Sequence, residues 1–131
     1  MSGCDEPPPP LLVEAVAQFN RGDYFEQHET LETLWRAEPR PVRRLYQGIL
    51  QIGVALYHLE RGNHHGAVYM LTRGSKYLEP FAPICQGVDV QALLDAAAAT
   101  LRNVETLGPA RLREFDWGSA PRVRFLTDPR I

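Results

Sequence analysis

The segment YFEQHETLETLW, residues 24–35, places one histidine among three glutamates in a predicted helix. At about 100° per residue, His28 and Glu32 share a helix face with Phe25 and Trp35, which we expect in the core. Glu29 lies at the edge of that face, and Glu26 points away from it. Imidazole and carboxylate groups at this spacing can bind zinc, manganese or iron. The segment is therefore consistent with a metal site or with a polar cluster inside a helical bundle.

The metal-site interpretation takes His28 and Glu32 as ligands. Glu29 or His58 would complete the ligand set, and a free Glu29 would be the catalytic base that activates a metal-bound water. The zincin pattern, however, requires a second histidine where this chain has Glu32, and the di-iron pattern requires two Glu-x-x-His units that the chain lacks. A divalent metal therefore remains an alternative and is not the favoured cofactor.

The favoured interpretation is a hydrogen-bonded cluster between two helices. Gln47, Gln51 and His58 recur at intervals of four and seven residues, which puts them in one line along the next predicted helix. An unpaired buried amide or carboxylate costs about 1–3 kcal/mol. We therefore expect this line to meet His28 and Glu32 across the interface between the two helices.

The same polar residues, if partly exposed, could instead line a groove for a peptide or a small polar ligand. Aromatic side chains near the cluster would form the walls of this pocket, and these are Tyr24, Trp35, Tyr46 and Tyr57.

A group of arginines crowds the connection between the same two helices. Arg40, Arg43 and Arg44 together could clamp a phosphate or a carboxylate. The alternative is a solvated cluster, in which Arg36 complements the end of its helix.

Helix signals follow one another from residue 11 to about residue 106 and predict an all-α protein. Gly22 and Gly108 are stop signals, Pro41 suits a first helical turn, Asn63 is a cap, and Asp23 with Glu26 predicts a capping box. The expected fold is a compact bundle of five helices in antiparallel hairpins, with a weak likeness to tetratricopeptide units. The predicted helices are 11–21, 23–37, 41–61, 64–78 and 89–106.

The two ends of the chain differ in composition from the helical domain, residues 10–108. Residues 1–9 include four consecutive prolines, which predicts a disordered or extended head. Residues 109–131 carry five arginines against three acidic residues, and we expect this tail to dock on the acidic helical domain.

Composition restricts the class of protein. The chain has 131 residues, 44% hydrophobic content and a net charge of −2, which indicates one globular domain without a global attraction for nucleic acid or membrane. No segment is long and apolar enough for a membrane helix, and the N-terminus lacks an apolar signal core. Cys4 and Cys85 have no metal-ligand spacing, so we expect reduced thiols in a cytoplasmic protein.

Residues 11–80 resemble the bacterial and archaeal family known as domain of unknown function 309. The shared pattern is an aromatic-x-x-His-Glu-x-x-Glu-x-x-Trp helix, a Gln-Gly-x-x-Gln helix and a Gly-Asn-x-x-Gly-Ala turn. The resemblance implies a compact helical bundle, and some members carry the label of metal-dependent hydrolase. The matching residues are Phe25, His28, Glu29, Glu32, Trp35, Gln47, Gly48, Gln51, Gly62, Asn63, Gly66 and Ala67.

The function predicted from the sequence is a binding or assembly module for a protein or a small polar ligand, with a His-Glu-Gln cluster between the second and third helices. One alternative is a metal-dependent hydrolase that uses the same cluster. The other is a structural homo-oligomer that pairs through an apolar surface of the fifth helix, residues 89–106.

Overall fold

The computed structural model describes residues 3–126 and confirms the predicted all-α fold. The five helices begin and end within one or two residues of their predicted positions. None of the helices within residues 3–126 combines the length and apolarity that crossing a membrane requires. The helices are α1 (Pro10–Arg21), α2 (Tyr24–Ala37), α3 (Arg43–Glu60), α4 (His64–Leu78) and α5 (Val90–Leu107).

The centre of the bundle is α3, which packs against α2 on one side and α4 on the other. The contact with α4 is close because two glycines face it. A Cβ atom on Gly48 would lie 2.7 Å from the Leu78 side chain, and one on Gly74 would lie 2.9 Å from the Ile52 side chain. Side chains larger than hydrogen at these positions would force the helices apart.

Two features of α2 differ from the prediction. Phe25, expected in the core, is 52% exposed, whereas Tyr24 and Leu31 are buried. The inward face of the helix is therefore rotated by about one residue from the predicted one. Asp23 precedes the helix but makes no capping hydrogen bond with its side chain, and pairs instead with Arg21 at 3.0 Å.

A short β-hairpin connects α4 to α5. Its strands are β1 (Ile84–Cys85) and β2 (Val88–Asp89), which pair antiparallel. No strand was predicted here, because two residues are too few to show alternation.

Cys4 and Cys85 form a disulfide, so the prediction of reduced thiols is wrong. The hairpin turn also binds the head directly, since the Gln86 backbone N–H donates to the Cys4 carbonyl at 2.8 Å and its side-chain amide donates to the Gly3 carbonyl at 3.1 Å. Residues 3–9, expected to be disordered or extended, are thus tied to the helical domain, while residues 1 and 2 lie outside the described part. The two cysteines are 81 residues apart in the sequence, so no local pattern indicated that they would pair.

The segment after α5 runs back along the domain through 3₁₀ turns at Pro109–Glu114 and Trp117–Ser119. The Asn20 side chain of α1 exchanges two hydrogen bonds with the Val123 backbone, at 2.8 and 2.9 Å. The Leu126 N–H donates to the Gly87 carbonyl at 2.8 Å. These contacts hold the segment against α1 and the hairpin. The last part of the predicted tail, residues 127–131, lies outside the described residues.

Cys4→Ser is expected to lower the free energy of unfolding by about 2–4 kcal/mol, because the disulfide closes a long loop in the unfolded chain. Urea denaturation of the full chain, with and without a dithiol reductant, measures the change. The reductant should destabilise the wild type to a similar extent and leave Cys4→Ser unchanged. Equal stability of the oxidised and reduced wild type would contradict the prediction.

Candidate functional site

His28 and Glu32 lie on the outer edge of α2 and do not enter the interface with α3. The His28 Nε2 atom is 3.2 Å from Glu32 Oε2, and the other oxygen of Glu32 lies 2.6 Å from an Arg36 nitrogen. The side chains of His28 and Glu32 are 36% and 29% exposed. Three residues on successive helical turns thus form a polar ladder along the surface, with the carboxylate at its centre.

Gln51 and His58 of the predicted polar line face α4, on the opposite side of α3 from the ladder. Gln47 accepts a hydrogen bond from the Arg44 side chain. A Cβ atom on Gly74 of α4 would lie 3.2 Å from the Gln51 Cβ atom. His58 Nδ1 lies 3.3 Å from the Asn63 side-chain nitrogen, in the turn that leads to α4. The predicted meeting of these residues with His28 and Glu32 therefore does not occur, because α4 and α2 occupy different sides of α3.

Gln27 is the polar residue that enters the interface between α2 and α3. It is fully buried, its amide donates to the Leu50 carbonyl at 3.2 Å, and its side-chain oxygen has no hydrogen-bond partner in residues 3–126. The amide fits against Gly53, where a Cβ atom would lie 2.2 Å from the Gln27 nitrogen. In the sequence, Gln27 lies three residues after Tyr24 and four before Leu31, a spacing that puts all three on one helix face. This spacing could have indicated that Gln27 is buried.

The outer face of α2 forms a shallow concavity of about 320 Å³. Phe25 stands at its rim, with its ring centroid 6.2 Å from the His28 ring and 6.2 Å from the Tyr57 ring of α3. We call this face the α2 surface, and define it as Phe25, His28, Glu29, Glu32, Thr33 and Arg36 of α2 with Tyr57 of α3.

Three of the four predicted aromatic walls lie elsewhere. Tyr24 is buried, and its ring stacks on Trp117 at 6.3 Å; burial raises the pKa of its phenol above the usual range. Trp35 has a buried indole nitrogen without a partner in residues 3–126. Tyr46 is buried and donates to the Gln86 side chain at 2.8 Å. Of the four aromatic residues predicted to line the pocket, Tyr57 is the one that lies at the α2 surface.

The three arginines predicted to clamp an anion point to different neighbours and do not come together. Arg40 donates two hydrogen bonds to the Glu6 carboxylate, at 2.8 and 2.9 Å, and these bonds lower the pKa of Glu6. The Arg43 guanidinium lies 5.2 Å from the centroid of the Trp35 ring. The Arg44 guanidinium lies over a tyrosine of α4 instead. Because each cation has a different neighbour, the three do not form a common site.

The residues do not fit the metal that the hydrolase alternative requires. Within residues 3–126, no three side chains of His, Cys, Asp and Glu come together in a geometry that could hold a metal ion. His28 and Glu32 supply two donors, and Glu32 already pairs with Arg36. His58 lies against the turn that leads to α4, so it is not a third donor.

The large apolar side chains of α5, through which self-association was expected, pack against the core of the same chain. Leu93 and Val104 are buried, and Leu94, Leu101 and Leu107 are half-buried. The exposed positions of α5 are Gln91, Asp95, Ala98, Arg102, Asn103, Glu105 and Thr106.

The α2 surface lies within the part of the chain that matches a known protein family. Residues 12–70 match the family model described as "Domain of unknown function (DUF309)". The "Uncharacterized protein YpuF" of Bacillus subtilis (strain 168) is 31% identical over 103 residues, which cover 76% of this chain and 59% of that protein. An "Uncharacterized protein" of Aquifex aeolicus (strain VF5) is 33% identical over 54 residues, which cover 40% of this chain and 16% of that protein. The chain thus spans well under two thirds of either relative.

Gly53→Ala should lower the free energy of unfolding by about 1–3 kcal/mol, because the new methyl group collides with the buried Gln27 amide. Adding Gln27→Ala should relieve the collision, so the double variant should lose less stability than the sum of the two single changes. Urea denaturation of the four proteins gives the coupling energy. Strictly additive losses would show that the two residues do not meet.

Tag-free protein that has been loaded with zinc or manganese should retain no more metal than its His28→Ala variant does. The reason is that the described residues supply no third ligand beside His28 and Glu32. Elemental analysis of the wild type and of His28→Ala after desalting tests this. A stoichiometric amount of metal in the wild type that the folded variant loses would contradict the expectation and restore the hydrolase hypothesis.

Proposed function

We propose that this chain, which belongs to the DUF309 family, is a helical binding module that docks a protein segment on the α2 surface. The single observation that carries the proposal is the position of Phe25. This large apolar side chain is 52% exposed, although the neighbouring Tyr24 is buried in the core. Aromatic side chains beside charged groups are typical of the residues that contribute most to protein interfaces.

The ladder below Phe25 supports the same proposal. Glu32 pairs with both His28 and Arg36, so the three side chains already have defined positions in the free protein. Side chains that are ordered before binding lose less conformational entropy when a partner covers them. The α2 surface thus combines the exposed apolar ring of Phe25 with a polar ladder that is ordered before a partner binds.

The chemistry of the α2 surface defines the partner. Phe25 and Tyr57 offer apolar contact area, with their ring centroids 6.2 Å apart. Glu29 is exposed, and no cationic nitrogen of residues 3–126 lies within 4.0 Å of its carboxylate. The fitting partner is a protein segment that presents an apolar side chain to the rings and a lysine or arginine to Glu29.

A hydrolase remains the weaker candidate. Its support is what the family resemblance of the sequence implies, whereas the described residues bring two metal donors together and not three. We therefore assign no catalytic step to Glu29.

Selection of peptides displayed on phage against the immobilised full chain tests the proposed function. Enriched peptides should share an apolar residue with a nearby lysine or arginine. In calorimetric titrations, Phe25→Ala should weaken their binding at least about tenfold, and Glu29→Gln should weaken it by a smaller factor.

Ile84→Ala is the matched control, because Ile84 is also 52% exposed but lies on the hairpin. Circular dichroism verifies that each variant is folded. The proposal fails if no peptide is enriched, or if the enriched peptides bind Phe25→Ala as tightly as they bind the wild type.

A further inference from the structure

The outer face of α4 forms a second concavity, of about 650 Å³, on the other side of α3 from the α2 surface. Its polar and aromatic lining comes from side chains three and four residues apart along the helix. We call it the α4 groove, and define it by His65, Tyr69, Arg73, Lys76 and Tyr77.

Arg73 is held in place between two tyrosines. Its guanidinium donates to the Tyr69 hydroxyl at 2.9 Å and to the Tyr77 hydroxyl at 3.3 Å. The two ring centroids lie 5.9 and 5.7 Å from the guanidinium carbon. A cation fixed in this way needs little further ordering when it meets an anion.

A second cation, on α3, contacts the Tyr77 ring at the edge of the groove. The Arg44 guanidinium lies 5.5 Å from the centroid of the Tyr77 ring, so this ring contacts two guanidinium groups. No carboxylate oxygen of residues 3–126 lies within 4.0 Å of a nitrogen of Arg44, Arg73 or Lys76. The sequence of α4 contains two cationic residues and no aspartate or glutamate. The groove therefore carries positive charge that the described part of the chain does not pair.

We propose that the α4 groove binds an acidic segment of a partner protein. From His65 to Tyr77 the helix extends about 18 Å, which matches about five or six residues of extended chain and exceeds the size of a small anion. The apolar parts of Val68, Tyr69 and Tyr77 line the same groove. The fitting segment thus combines carboxylates with apolar side chains.

Charge complementarity favours an acidic protein segment over a nucleic acid. Single-stranded nucleic acids need open aromatic faces on which bases stack. Here the guanidinium groups of Arg44 and Arg73 lie over the Tyr77 ring.

This site is independent of the proposed function. The α2 surface lies on the opposite side of α3, and the family match ends at residue 70, before Arg73, Lys76 and Tyr77. A variant of Phe25 should therefore leave binding at the α4 groove unchanged.

Fluorescence anisotropy with a labelled acidic peptide tests the proposal. The probe is a peptide of about twelve residues that alternates glutamate with phenylalanine or leucine. It should bind the full chain saturably, and raising the salt concentration should weaken it. Arg73→Gln should reduce the affinity at least about tenfold, and Tyr69→Phe, which removes one hydroxyl that holds Arg73, should reduce it by a smaller factor.

Arg102→Gln is the matched control, because Arg102 is an exposed cation on α5 away from the groove. The same peptide with glutamine in place of glutamate should bind weakly. The proposal is overturned if the acidic peptide does not bind, if Arg73→Gln behaves like Arg102→Gln, or if the glutamine peptide binds equally well. Tighter Arg73-dependent binding of an oligothymidylate of similar charge would identify a nucleic-acid site instead and would also overturn it.

Discussion

Helices α3 and α4 approach each other closely, and this contact limits where the other helices can pack. Gly48 and Gly74 lie in this contact, and a side chain at either position would meet buried atoms within 3 Å. With α4 this near, the side of α3 that carries Gln51 is covered, and α2 packs on the other side. The Gln27 amide fits there against Gly53. Glycines on two sides of one helix thus fix which polar groups are buried and which reach the surface.

This arrangement separates charge across the bundle. Helix α2 carries three glutamates and one arginine, whereas α4 carries two cationic residues and no acidic residue. The net charge of −2 does not show this separation of charge, because it sums the charges on both sides of α3. Each side also exposes aromatic rings, Phe25 on one and Tyr69 on the other. The two faces therefore suit partners of different chemistry, and one could be occupied without covering the other.

Segments outside the helices complete the core. The buried Gln86 side chain accepts a hydrogen bond from Tyr46 and donates one to Gly3, so the hairpin, α3 and the head share one set of contacts. The disulfide and the two hydrogen bonds from Arg40 to Glu6 hold the same head in place. Composition predicted a free head because its prolines exclude a helix, and it gave no information about what the head contacts.

The number, type and limits of the five α-helices could be predicted from the sequence, because apolar periodicity, caps and stops act within a few residues of one another. The sequence also identified His28 and Glu32 as a pair, since their spacing of four residues is local. The direction in which that pair faces depends on how the helices pack against one another. A helix face shifts with a rotation of one residue, and packing against Gly53 selected Gln27 for the interior. The meeting of Cys4 with Cys85, and of Arg44 with Tyr77, likewise depends on contacts between elements distant in the chain, which no local pattern encodes.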